Sequence, residues 1–66
     1  MTKNLLDYIP KKYKNAVKEF YKDSDGYWLI LNNDYALDGY GAAHVIHEDT
    51  VKDVLEILRQ YLIKVF

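Results

Sequence analysis

Two stretches with apolar residues at helical spacing flank two short aliphatic runs bounded by turn residues. Together they predict an α+β fold in the order helix, strand, strand, helix. At 66 residues the chain holds a single α+β domain, 1–66, with no length for a second. Half of it is hydrophobic and 15% is aromatic, which is ample for folding. A chain of this size buries only about 60% of its unfolded surface, so its stability margin is narrow. It has no cysteine, which removes disulfides and thiolate metal sites as staples.

Leu5, Leu6, Tyr8 and Ile9 form an apolar lead-in to Pro10, the only proline, which suits a first helical turn. From Lys11 to Lys22 the apolar positions Tyr13, Ala16, Val17, Phe20 and Tyr21 recur at helical spacing with lysines between them, predicting an amphipathic helix of about three turns. Asp23-Ser24-Asp25-Gly26 ends that helix, because short polar side chains compete for backbone hydrogen bonds and glycine accepts positive φ. Tyr27 to Leu31 reads as the first strand and Ala42 to His47 as the second. With about ten residues between them, the two pair as an antiparallel long-loop hairpin. Glu48-Asp49-Thr50 opens the second helix, with Asp49 or Thr50 as its cap and Asp53 three residues after Thr50. Its stripe is Val51, Val54, Leu55, Leu58, Leu62 and Val65.

The first strand is apolar on both faces, Tyr27/Leu29/Leu31 on one and Trp28/Ile30 on the other. Helices on one side of a two-stranded sheet leave the other side bare. Either the lead-in folds over it or a second chain covers it, and a homodimer that buries Trp28, Ile30 and the apolar end at Phe66 is the expected assembly.

The charge balance narrows the function. Net charge is −1 and the isoelectric point is near 6.0, so no overall basic field draws the chain to nucleic acid. The charge is polarised all the same. Residues 1–22 carry six lysines against Asp7 and Glu19, which is +4, and residues 23–66 carry eight acids against Lys52, Arg59 and Lys64, which is −5. No apolar run reaches the length that spans a bilayer, and the first residues do not read as a signal peptide. A cytoplasmic protein with no membrane partner is expected.

Catalytic and metal readings fail on spacing. His44 and His47 stand three apart on a predicted strand, which sends them to opposite faces, and no cysteine completes a zinc set. Asp23-Ser24-Asp25-Gly26 has its glycine too early for a calcium loop. Ser24, the only serine, lies in a turn without an activating base. The expectation is a chain that is not an enzyme and takes no cofactor.

Tyrosine is the compositional anomaly, at seven residues. Tyr13, Tyr21 and Tyr61 read as the rim of a small core. Tyr35 and Tyr40 flank Asp38-Gly39 in the loop between the strands, and tyrosine gives large contact area for little lost entropy. With Asp38 they are the expected partner-binding residues, and Asp34, Glu48 and Asp49 are acids that mimic phosphate charge. The alternative is a nucleic-acid-binding regulator that tracks a phosphate backbone with Lys11, Lys12, Lys14, Lys18 and Lys22.

Asp25-Gly26-Tyr27-Trp28 and His44-Val45-Ile46-His47-Glu48-Asp49-Thr50, in that order, resemble a family of short proteins encoded by phages and prophages of Gram-positive bacteria. The resemblance covers about residues 18–60. It implies a mobile-element setting, in which small proteins act by binding a host protein, anti-CRISPR inhibitors among them. The expected function is that of a phage-type accessory protein that inhibits or modulates a host protein by surface occlusion.

Overall fold

The computed structural model describes residues 5–41 and 44–65. The fold is α+β with antiparallel sheets, and its order differs from the expected one. Two 3-10 helices, Leu6–Tyr8 and Lys11–Ala16, precede strands β1 (Val17–Asp23), β2 (Gly26–Leu31), β3 (Tyr35–Leu37) and β4 (Val45–Glu48). Helix α1 (Val51–Tyr61) and strand β5 (Leu62–Lys64) follow. One sheet has the order β1-β2-β4 and a second pairs β3 with β5.

The first amphipathic helix is not formed. Pro10 does start a helix, and its carbonyl accepts from the Tyr13 N–H, but that helix is 3-10 and ends at Ala16. From Val17 the chain is extended and pairs with β2, Phe20 opposite Leu29 and Tyr21 opposite Trp28. The ladder slips between Val17 and Glu19, where Lys18 is the extra residue of a bulge. The bulge explains the misleading period. It sets the inward residues Val17 and Phe20 three apart, which is the spacing of a helix face.

Asp23-Ser24-Asp25-Gly26 is therefore a hairpin turn rather than a helix stop. Asp23 Oδ1 accepts the Asp25 N–H at 2.8 Å, closing an Asx turn. Gly26, at φ 127°, absorbs the reversal, and no described non-glycine residue has positive φ. The expected long-loop hairpin is present, with β2 and β4 antiparallel and Leu29 opposite Ile46. Its second strand is Val45–Glu48, so Glu48 belongs to the strand and not to the helix start. Ala42 and Ala43, assigned to that strand from sequence, lie outside the described residues.

Thr50 is the helix cap, its Oγ1 accepting the Asp53 N–H at 3.1 Å. Helix α1 buries Val54 and Leu58 and packs on β4 and β2. It stops at Tyr61, four residues before the apolar stripe does. Leu62 turns extended at ψ 127°, and Ile63 and Val65 are β-branched. Leu62 stays on the core side, opposite Leu37 across β5 and β3.

The core joins Leu5, Ile9, Ala16, Val17, Phe20, Leu29, Leu31, Leu37, Ile46, Val54 and Leu58. Each large member contributes about 1.5–3 kcal/mol through burial. No polar side chain is buried among the described residues. The Leu5 N–H bonds the Phe20 carbonyl at 2.9 Å and so draws the lead-in onto β1.

Candidate interaction surface

The helix and the lead-in cover the same side of the three-stranded sheet, the side of Phe20, Leu29, Leu31 and Ile46. Strand alternation and register assign the opposite face to Glu19, Tyr21 and Asp23 on β1, Trp28 and Ile30 on β2, and Val45 and His47 on β4. Of the two faces read in the sequence, Tyr27/Leu29/Leu31 is the covered one and Trp28/Ile30 the uncovered one. Phe66, the third residue assigned to a dimer interface, lies outside the described residues.

The uncovered face is ordered by one cluster. The Trp28 indole and His47 imidazole stack across the β2–β4 pair, with centroids 3.8 Å apart and planes 7° from parallel. Trp28 Nε1 donates to Asp23 Oδ1 at 3.0 Å. His47 Nε2 lies 2.8 Å from the Asp25 carbonyl, which can only accept, so this nitrogen carries the proton. The backbone N–H of Asp25 first, and then the Trp28 indole N–H, hold the Asp23 carboxyl below the usual carboxylate range. Both ring systems are thus clamped through donors and acceptors of the β1–β2 turn, while their surfaces stay at least partly open to solvent.

The loop residues expected to bind a partner are placed differently. Tyr35 is not at a loop tip: it is a half-buried residue of β3, opposite Lys64. Tyr40 is half-buried too. Its ring tilts on Tyr61, centroids 5.9 Å apart, and its hydroxyl donates to Glu48 Oε2 at 2.9 Å. Burial first, and then that hydrogen bond, push the Tyr40 phenol above its ordinary range. Tyr40 therefore fastens the loop to the end of β4. Asp38 is exposed but its N–H is spent on the Tyr61 carbonyl at 2.9 Å, and the Asp34 carbonyl accepts from Val65. Asp49 is exposed. The structure joins Tyr40 to Glu48, sets Tyr35 in β3 and ties the Asp38 backbone to the end of α1.

The five lysines of the alternative reading do not share a helix face. Lys11, Lys12 and Lys14 lie on the second 3-10 helix, and Lys18 and Lys22 on β1. Lys12 stands over the Tyr13 ring at 5.1 Å and Lys22 over the Tyr27 ring at 5.7 Å. Tyr21, which precedes Lys22 in the chain, belongs to the opposite side of the sheet from it.

Sequence reasoning missed Tyr21, Val45 and His47 as surface-forming residues. The signal was present for Tyr21 only if residues 17–23 are read as a bulged strand. No group of His, Asp and Glu among the described residues is arranged to hold a metal ion. No described helix is long and apolar enough to cross a membrane. No family model, curated protein or solved structure matches this chain.

Proposed function

We propose that the protein is an interaction module that acts by occluding the surface of a partner protein, and that the uncovered sheet face is its contact. One observation carries this reading. The two segments singled out in the sequence, Asp25 to Trp28 and His44 to Thr50, meet at the Trp28–His47 stack on an open face rather than in the core. Aromatic side chains clamped in one rotamer lose little entropy on binding, which suits them as anchors.

The face also states what it prefers. Its centre is Tyr21, Trp28, Ile30 and Val45, and its β1 side carries Glu19 and Asp23, with Asp25 in the adjoining turn. Two copies meeting face to face with β1 over β1 set these acids against one another. A foreign partner with an apolar centre and a basic rim does not meet that repulsion. Three strands about 4.8 Å apart and about five residues long give a flat footprint of only ~250 Å². A standard interface takes about 800 Å² per partner, so the contact extends beyond the strands onto the acidic rim. The setting proposed is that of a phage-type accessory protein acting on a host protein, with an anti-CRISPR inhibitor as its concrete form. The support is the DGYW and HVIHEDT segments, which supply the cluster.

Affinity capture from a nuclease-treated Gram-positive lysate tests this, comparing the protein with Ile30→Lys/Val45→Lys and Tyr35→Ala variants of verified fold. Retention of one protein complex by the original and by Tyr35→Ala, with loss in the lysine pair, is the expected result. Loss confined to Tyr35→Ala moves the site to β3. Partners that vanish with nuclease move the function to nucleic acid.

A further inference from the structure

The covered side of the sheet carries a second opening, remote from the Trp28 face. A half-open cleft of about 390 Å³ lies where the lead-in, the β1–β2 end and the start of α1 meet, lined by Leu5, Tyr8, Lys22, Tyr27 and Val51. The volume falls at the small end of the ~300–1,000 Å³ of ligand sites. Its walls are mainly aliphatic and aromatic carbon, with Tyr8, 54% exposed, at the rim.

Among the described residues, one cation lines this cleft. Lys22 stands 5.7 Å from the centre of the Tyr27 ring and forms no ion pair among the described residues, where Arg59–Glu56 is the salt bridge present. Strand alternation turns Lys22 and Tyr27 to the same side, and the ring holds the ammonium at the wall instead of leaving it free in solvent.

We infer that this cleft binds a small amphiphilic carboxylate, its apolar body against Leu5, Tyr27 and Val51 and its carboxylate on Lys22. The inference is independent of the interaction surface, because the two sites occupy opposite sides of the sheet and share no residue.

The test is a titration of the intact protein with decanoate and, separately, with decanol, followed by amide chemical shifts. Decanoate is expected to move Leu5, Tyr8, Tyr27 and Val51 while leaving Trp28 and His47 in place, saturating in the millimolar range. Lys22→Met, which keeps the aliphatic stem, weakens decanoate about three- to tenfold and leaves decanol unchanged, and Lys22→Arg restores it. A spectrum matching the original shows that the variant has folded, and Lys22→Gln replaces Lys22→Met if it has not. Equal affinity for decanoate in the charge-removed variant, decanol binding as tightly as decanoate, or shifts centred on Trp28 each overturn the inference.

Discussion

Substituting Gly26 by alanine loads two separate costs onto the turn that carries the Trp28–His47 cluster. At φ 127° the backbone is in a region open essentially to glycine, and a side chain held there costs about 1–3 kcal/mol. The added Cβ also meets the Glu48 carbonyl oxygen at 2.8 Å and His47 Nε2 at 3.3 Å. The carbonyl is β4 backbone, paired across to Tyr27, so it cannot swing aside as a side chain would. Relieving that contact adds about 1–3 kcal/mol more. The expected total is about 2–6 kcal/mol, against about 3–10 kcal/mol of stability for a domain of this length. Gly39 supplies the internal control. It has φ 84° with nothing within 4 Å of an added Cβ, so Gly39→Ala bears conformational strain alone, about 1 kcal/mol. Urea unfolding followed by Trp28 fluorescence and by far-UV circular dichroism measures both. A Gly26→Ala cost within about 0.5 kcal/mol of that of Gly39→Ala refutes the backbone-contact reasoning.

Three further outcomes are expected. Leu58→Ala empties a fully buried position beneath the sheet and costs about 2–5 kcal/mol by thermal or urea unfolding, enough to leave a large fraction unfolded. Thr50→Ala removes the acceptor of the Asp53 N–H and costs about 1 kcal/mol, whereas Asp49→Ala costs less, because Asp49 is not the cap. The folded Asp23 carboxyl titrates below its unfolded range, so its contribution is full above about pH 4 and is lost as pH falls through the lower folded value. Asp23→Asn keeps an oxygen for Trp28 Nε1 and flattens that acid limb in a pH series of urea midpoints, and an unchanged limb contradicts the assignment.

The sequence-readable parts of the fold were those built from local chemistry. Thr50 with Asp53, the apolar run Tyr27–Leu31, the turn at Asp23–Gly26 and the long-loop pairing of two strands each follow from residues close together in the chain. The parts that were not readable depend on distant partners. Val17–Asp23 has helical spacing because Lys18 is inserted as a bulge, and a bulge is defined by the strand opposite it. Tyr35–Leu37 is a strand because Leu62–Lys64 lies alongside, and neither three-residue segment announces itself alone. The candidate site divides the same way. Trp28 and Ile30 were legible as one of two apolar faces from alternation within one strand, and which face is covered came only with the packing. Their neighbours Tyr21 and His47 came only with the register. Composition could not show that the Tyr40 hydroxyl is held by Glu48.

Hydroxyl-radical footprinting of the captured complex against the free protein tests the proposed surface most directly, because tryptophan, tyrosine and histidine all report. The account predicts that Trp28, Tyr21 and His47 become protected together while Tyr8 and Tyr13 keep their free rates. Protection confined to Tyr35 and Tyr40, with Trp28 labelled as in the free protein, contradicts it.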